Sequence, residues 1–418
     1  MNWIGLYGLL LLPQLFNNGA SQAIIKTLPG YPGSLPFKLE TGYVGVGDND
    51  EVQLFYYFVE SENNPKTDPL LFWMIGGPGC SGLFALIYDI GPLTIDVDDF
   101  DGSLPSFFLN PYSWTKVANI IFIDAPVGTG FSYANTSQGY SSSDTKSAKD
   151  IYTFLRKGYI IANGLTDPNI DFNARIPYAH RMALISDEYF ESAKINCDGK
   201  YHNRDPNNML CLYALQRIRK CLRHIKQVQI LDPICENKAQ NPDDFGWDQT
   251  FPKDNSIEHL VLPTEEEEQC QDPSYYITSY WANDPTVQEA LHTRKGTLAR
   301  WKTCNYGIPY EQNVESVLKY HKSFIKKGYH VLVYNGDHDM AAPYMGPLKW
   351  IRTLNLTIDD DWRPWLVNGQ VAGYTEKYKK NDFDLTFVTV NGAGHTASSY
   401  KPKECLTMLH HWLSRRPL

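Results

Sequence analysis

The stretch Phe387-Val-Thr-Val-Asn-Gly-Ala-Gly-His395 predicts a buried strand that ends in a glycine turn and a histidine. Gly392 and Gly394 give the backbone the conformational freedom to bring the imidazole into a cleft. His395 is therefore a candidate general base. The alternative is an ordinary surface histidine, because a lone histidine on a loop usually has no catalytic role.

A second predicted strand, Val331-Leu-Val-Tyr-Asn-Gly-Asp-His-Asp339, ends in a turn that carries two acids. Catalytic groups lie at the carboxyl ends of strands in open α/β sheets. Asp339 is therefore a candidate orienter, which would fix the imidazole tautomer and stabilise the imidazolium, while Asp337 is expected to hold the turn. The alternative is that both acids are Asx-turn residues.

A glycine-rich loop, Gly76-Gly-Pro-Gly-Cys-Ser-Gly82, follows a third predicted strand, Leu70–Ile75. Such a loop can aim backbone N–H groups at a developing oxyanion, with Gly77 as the donor. Taken alone the pattern is weak, because many turns look like this.

Strands and helices alternate along the chain, which predicts an α/β fold with a mostly parallel central sheet covered on both faces. A polar, cysteine-rich stretch and the helix before it predict a helical cap inserted at about residues 176–283. Further strands are predicted at Gln53–Val59, Asn119–Asp124, Gly158–Asn163, His330–Asn335 and Leu385–Val390, and helices at Ser147–Lys157, Ile176–Lys194, Leu210–Lys226 and Lys403–Arg416.

The N-terminus predicts a secretory signal peptide over residues 1–23, since an apolar run is followed by small residues near Ala20–Ala23. Eight cysteines and two sequons, at Asn135 and Asn355, fit the same route. No retention signal ends the chain, so the extracellular space or the vacuole is expected. The formal charge of −9 argues against a nucleic-acid partner. No other segment is apolar enough to enter a membrane.

Together these motifs resemble the serine carboxypeptidase family, and in particular its plant branch that includes glucose-ester-dependent acyltransferases. The resemblance runs from about Leu28 to the C-terminus and implies one α/β-hydrolase domain over residues 24–418. It implies that Asp339 and His395 belong to a Ser-His-Asp triad, that Gly77 is the first oxyanion donor and that no cofactor is needed. The matching motifs are Gly76–Gly82, Asn119–Tyr133, Tyr334–Asp339 and Gly392–Thr396.

One family element is missing. Family members carry a Gly-x-Ser-Tyr-x-Gly turn between the helix matching Ser147–Lys157 and the strand matching Gly158–Asn163. Here nothing lies between Lys157 and Gly158, and the nearest approach, Gly79-Cys-Ser-Gly, has the wrong spacing. The chain is therefore expected to lack the nucleophile strand and its helix, and to be inactive in acyl transfer from glucose esters or in release of C-terminal residues from peptides.

Two alternatives stay open at this point. The chain could be a non-catalytic secreted protein that binds ligands, or an active acyltransferase whose sequence is incomplete here through a skipped exon or a faulty gene model. Family peptidases place an asparagine where this chain has Ile75, which favours acyl transfer as the ancestral chemistry. The sequence indicates no oligomeric state.

The resemblance also implies three disulfides, Cys80–Cys304, Cys197–Cys211 and Cys235–Cys270, which leaves Cys221 and Cys405 outside these bonds. Cys221 and His224 have zinc-like spacing, but two ligands without a second pair do not make a site, so no metal is expected. His410 and His411 are interpreted as a surface pair on the last helix.

Overall fold

The computed structural model describes residues 22–98, 100–151, 158–234 and 273–418. The chain divides into two compact units, residues 1–155 with 264–314 and residues 156–263 with 315–418. The predicted signal peptide lies outside the described residues except for Gln22 and Ala23, which begin the first strand. The expected Cys235–Cys270 bond also lies outside them.

The strands supply one large sheet to each unit. The first unit has the order β1–β2–β3–β7–β4 with β8 beside β3, and the second has the order β10–β12–β15–β14–β13. In chain order they are β1 Gln22–Ile25, β2 Leu39–Val46, β3 Val52–Val59, β4 Leu70–Trp73, β5 Leu93–Ile95, β6 Phe107–Leu109, β7 Asn119–Ile123, β8 Tyr133–Ala134, β9 Ser142–Ser143, β10 Gly158–Ala162, β11 Tyr310–Glu311, β12 His330–Gly336, β13 Thr357–Val367, β14 Gln370–Lys380 and β15 Phe383–Val390.

The helices pack around these sheets, and none of those described is long and apolar enough to cross a bilayer. In chain order they are α1 Gly82–Phe84, α2 Asp144–Ile151, α3 Pro168–Asp171, α4 Arg175–Arg181, α5 Asp187–Cys197, α6 Met209–Leu222, α7 Pro273–Ala282, α8 Pro285–Ala290, α9 Leu318–Lys326, α10 Met345–Arg352, α11 Ala397–Tyr400 and α12 Pro402–Leu413.

Both large sheets are mixed rather than mostly parallel. The parallel pairing predicted for buried apolar runs is found in β10–β12–β15 and in β4–β7. The remaining pairs of the two sheets, β1–β2–β3–β7 and β15–β14–β13, are antiparallel. In the second unit the cause is a turn at Asn368-Gly369, where both residues have positive φ angles of 50° and 75°. A two-residue turn joins only antiparallel strands, so β13 and β14 form a hairpin that the sequence analysis did not identify.

Each large sheet has a short apolar strand at one end. Among the described residues β4 pairs only with β7, and β10 pairs only with β12. Uncharged runs of this kind are typical of interior strands with a neighbour on both sides. Leu70 in β4 is instead about half exposed, with 51 % of its surface accessible. The sheet of each unit therefore has an edge strand with the apolar composition that is typical of an interior strand.

The predicted cap is helical where the structure describes it. The predicted helix over Ile176–Lys194 is divided into α4 and α5, because Ala183 has a positive φ of 56° and Ser186 caps α5 by accepting the N–H of Tyr189. A disulfide between Cys197 and Cys211 joins α5 to α6. The buried faces of these helices form one apolar cluster that also includes Met340.

Candidate active site

A buried carboxylate and a partly exposed imidazole meet beyond the carboxyl ends of β12 and β15. The Nδ1 atom of His395 lies 2.8 Å from Oδ2 of Asp339. The Asp339 side chain is fully buried, whereas 44 % of the His395 side chain is exposed. The structure therefore brings these two predicted residues into direct contact, as a base and its orienter require.

The remaining partners of Asp339 stabilise its ionised form. Its Oδ1 accepts the backbone N–H of Ala341 at 2.8 Å and of Ala342 at 3.1 Å, and its Oδ2 also accepts Nδ2 of Asn163 at 2.8 Å. Donors of this kind stabilise a buried carboxylate. An ionised Asp339 can only accept, so Nδ1 of His395 carries the hydrogen and Nε2 carries the lone pair.

The contact with Asp339 also changes the pKa of the His395 imidazole. Loss of hydration lowers the pKa of His395, and nearby Arg175 also lowers it, but the charge and hydrogen bond of Asp339 raise it by more. The pKa of His395 therefore lies above its ordinary value. The ring is held as a stronger base than a solvated histidine, which suits a group that must take up a proton during attack.

Asn163 is a positioning residue that the sequence analysis missed. It follows β10 with a positive φ of 43°, which asparagine tolerates. Its amide donates to Asp339, and its Oδ1 accepts the N–H of Gly336 at 3.4 Å. Asn163 could have been predicted as a site residue, because it is a polar residue at the carboxyl end of a third parallel strand.

The isosteric change Asn163→Asp tests this contact. It replaces a donor with a second carboxylate against Asp339, so at pH 7 the free energy of unfolding should fall by about 2 kcal/mol. One carboxyl of the pair will have a raised pKa in the folded state. Stability should therefore return towards wild type as the pH falls through this raised pKa and should level off at about pH 4, where the introduced carboxyl group is protonated and can donate again.

Denaturant unfolding at several pH values measures this effect. The matched control is Asn368→Asp, which makes the same change at an exposed residue with a positive φ of 50°. Equal losses in the two variants would show that the Asn163 amide does not support Asp339.

A short backbone strap, Gln227–Ile230, holds the acid turn and the histidine turn together. Its first carbonyl oxygen accepts the N–H of Met340 at 2.8 Å, and its second accepts the N–H of His395 at 2.7 Å. A Cβ atom at Gly394 would lie 2.4 Å from that second oxygen. Only glycine therefore fits there, and the imidazole is anchored through its own backbone.

Two further side chains brace the same turns. Asp337 accepts the N–H of Gly392 at 2.7 Å through Oδ1, which links the acid turn to the histidine turn. Arg175 is buried and donates to the carbonyl oxygen of Ala341 through Nε at 3.0 Å and Nη2 at 2.6 Å. Burial lowers the pKa of Arg175 to about 10, against the opposing charge of Asp339. The role of Arg175 was not visible in the sequence.

The glycine loop that contains Gly77 belongs to the first unit and is pinned to a neighbouring segment. Cys80 forms a disulfide with Cys304. The N–H of Asn305 donates to the carbonyl of Gly79 at 2.8 Å. A Cβ at Gly79 would lie 2.4 Å from the carbonyl oxygen of Asn305, so this position needs glycine. The loop is therefore held by covalent and backbone contacts, as a preorganised oxyanion donor would need.

A buried carboxylate supports the end of this loop. Oδ1 of Asp124 accepts the hydroxyl of Ser81 at 2.5 Å and the N–H of Gly82 at 2.9 Å, and its Oδ2 accepts the N–H of Phe131 at 2.9 Å. Burial raises the pKa of Asp124 to about 6, although these hydrogen bonds lower it. The sequence analysis placed Asp124 only as the end of a strand.

The serines of the first-unit motifs are structural. Ser81 donates to Asp124, and Ser132 donates to the carbonyl of Asp124 at 2.6 Å while accepting the N–H of Phe55 at 2.7 Å. Both side chains are buried. In the part of the chain that the structure describes, no hydroxyl is hydrogen-bonded to Nε2 of His395.

The remaining predicted site residues are placed as follows. Two of the three expected disulfides are present, Cys221 is exposed and Cys405 is buried. Both sequon asparagines, Asn135 and Asn355, are exposed. Within the described ranges no three His, Cys, Asp or Glu side chains are grouped as a metal site would require.

Comparison with known families gives one match over nearly the whole chain. The sequence model of the family described as "Serine carboxypeptidase" matches residues 29–157 and 156–415. The match therefore comes in two segments that overlap at residues 156–157.

Curated relatives of similar length are known from Arabidopsis thaliana. Serine carboxypeptidase-like 1 is 42 % identical over 445 aligned positions, which cover 95 % of this chain and 94 % of the relative. Serine carboxypeptidase-like 3 is 40 % identical over 460 positions, which cover 98 % and 97 %. Since 95 % of 418 residues is about 397, roughly 48 positions of the first alignment hold no residue of this chain.

A solved structure shares the fold. The crystal structure of KEX1(DELTA)P, a prohormone-processing carboxypeptidase from Saccharomyces cerevisiae, superposes with a TM-score of 0.64. The match covers 94 % of this chain and 95 % of that chain at 19 % sequence identity. The likeness supports the α/β-hydrolase fold expected from the motifs.

Proposed function

Since this chain belongs to the serine carboxypeptidase family, we propose that it keeps the base and orienter of that family but lacks the nucleophilic serine. The observation that carries this proposal is the intact Asp339–His395 pair with no hydroxyl bonded to Nε2 among the described residues. In the family reaction a base of this kind activates an oxygen nucleophile.

Three observations support the loss of a segment. The family match divides into two parts at residues 156–157, and roughly 48 aligned positions of a relative have no counterpart in this chain. Strands β4 and β10 each have one unpaired side among the described residues. In the family order, the nucleophile strand lies between the helix predicted over Ser147–Lys157 and the strand that begins at Gly158.

The chemical consequence is the loss of the acyl-enzyme. The serine would attack the substrate carbonyl, and the residue after it would supply the second oxyanion donor, so one deletion removes both. In a comparable triad enzyme, removal of the nucleophile costs about 10⁶ in turnover. We infer that this chain is an inactive form with respect to the family reaction.

The ancestral reaction is inferred to be acyl transfer from glucose esters to a small acceptor, rather than release of C-terminal residues from peptides. Ile75 cannot donate the hydrogen bond with which family peptidases hold a terminal carboxylate. The signal peptide, the sequons at Asn135 and Asn355 and the disulfides favour passage through the secretory route to the vacuole or the outside of the cell.

A fluorophosphonate probe tests the proposal, because it labels activated serines. We expect no labelled serine by mass spectrometry after the full chain is incubated with the probe, while an active serine carboxypeptidase treated in parallel is labelled. Stoichiometric adduct at any serine of this chain would overturn the proposal.

The transcript supplies a second test. Sequencing of the mRNA is expected to give transcripts in which the codon for Gly158 directly follows the codon for Lys157. If every message carries several tens of extra codons there, the active protein is longer than this chain, and the inactive form does not exist.

A further inference from the structure

We propose that the imidazole of His395 is itself a nucleophile towards esters with good leaving groups, which gives this chain a slow esterase activity without any serine. The inference rests on the proposed absence of the serine and goes beyond it, since it assigns a reaction to the pair that remains. The substrate class is small activated esters, such as aryl esters.

The geometry leaves the attacking atom open. The bond from Nδ1 of His395 to Asp339 fixes the tautomer, so the lone pair lies on Nε2. Nε2 has no hydrogen-bond partner among the described residues, and 44 % of the side chain is exposed. In a complete triad the serine hydroxyl would occupy this lone pair.

The surroundings of His395 favour attack by this ring over attack by His180. The buried carboxylate of Asp339 faces the positive charge that develops on the ring when Nε2 forms a bond, and such an arrangement stabilises the transition state. The strap bond at 2.7 Å fixes the backbone of His395. His180 differs, because its Nε2 is already bonded to Asp187, and the Asp187 side chain is 89 % exposed.

The reaction balances in two steps. In the first, the Nε2 lone pair forms a C–N bond with the ester carbonyl carbon, and the C–O bond to the leaving group breaks with its electron pair on oxygen. Asp339 stays bonded to the Nδ1 hydrogen of the acyl-imidazolium. In the second step, water attacks the acyl carbon and the C–N bond breaks, returning its pair to Nε2. The attacking water loses one proton, which reaches the anionic leaving-group oxygen through the solvent. One ester and one water give one carboxylic acid and one alcohol or phenol.

The experiment follows p-nitrophenyl acetate hydrolysis by the full chain at pH 8. We expect a turnover at least tenfold above that of His395→Ala, whose exposed side chain can be removed without opening the core. The matched control His410→Ala changes an exposed histidine on α12 and should leave the rate unchanged. Circular dichroism checks that both variants are folded.

Two further measurements separate the possible failures. Pretreatment with a fluorophosphonate should leave the rate unchanged, and the rate should rise with pH through an inflection above the ordinary histidine value, because the pKa of His395 is raised. If the rate is unaffected by the fluorophosphonate and is equal in wild type and His395→Ala, this inference is overturned and the proposed function stands. A rate abolished by the fluorophosphonate overturns the proposed function, and with it this inference.

Discussion

A chimera that carries the missing segment between Lys157 and Gly158 is expected to form an acyl-enzyme and to resist denaturant better than the natural chain. The segment would be taken from serine carboxypeptidase-like 1, and roughly 48 residues are needed. Its serine would meet a base and orienter that are already assembled, so turnover should rise by about 10⁶ over the natural chain.

The gain in stability has a separate physical origin. An inserted strand can pair with the open side of β10, which pairs only with β12 among the described residues. At about 1 kcal/mol for each restored hydrogen bond, the free energy of unfolding should rise by about 5 kcal/mol.

The control for the chimera is the same insert with its serine changed to alanine. This version should gain the stability but not the fluorophosphonate label or the turnover. The control therefore distinguishes the stabilising effect of the inserted strand from the catalytic effect of its serine. Labelling and denaturant midpoint are the two measurements. A chimera that folds, stays unlabelled and turns over no ester would show that the Asp339–His395 pair cannot serve as the base.

The catalytic candidates could be predicted from the sequence because each one directly follows a recognisable sequence pattern. Asp339 and His395 both follow a buried strand and a glycine-containing turn, and local spacing alone places them at one sheet edge. Asn163, Arg175 and Asp124 carry no such pattern. Their roles come from contacts with residues far away in the chain, such as the 176-residue separation between Asn163 and Asp339.

The same distinction applies to the fold. Apolar runs in the sequence predicted β7, β12 and β15 to within two residues. Strands that are buried on both faces consist almost entirely of apolar residues, which makes them easy to recognise. The β13–β14 hairpin alternates with polar residues and was missed, although its Asn368-Gly369 turn was available as a signal. The strap at residues 227–230 has no periodic pattern at all, since it acts through backbone carbonyls that any sequence possesses.

Replacing Asp124 with alanine is expected to destabilise the first unit by about 3 kcal/mol at pH 7. The change leaves the hydroxyl of Ser81 and the N–H groups of Gly82 and Phe131 buried without their acceptor, and each such group costs about 1–3 kcal/mol. Denaturant unfolding and hydrogen exchange of the peptide around Ser81 measure the loss. Asp98→Ala, at an exposed aspartate of the same unit, is the control and should change stability by less than about 0.5 kcal/mol.

The pH dependence of this loss identifies the cause. The pKa of Asp124 is raised to about 6 in the folded state, against an ordinary value of 3.8. The folded chain therefore binds more protons than the unfolded chain between about pH 4 and 6, so the contribution of Asp124 to stability falls as the pH rises through that window. The loss caused by Asp124→Ala should accordingly be larger at pH 4 than at pH 7, by about 2 kcal/mol. A loss that is the same at both pH values would mean that Asp124 is ionised throughout, and that its hydrogen bonds outweigh its burial.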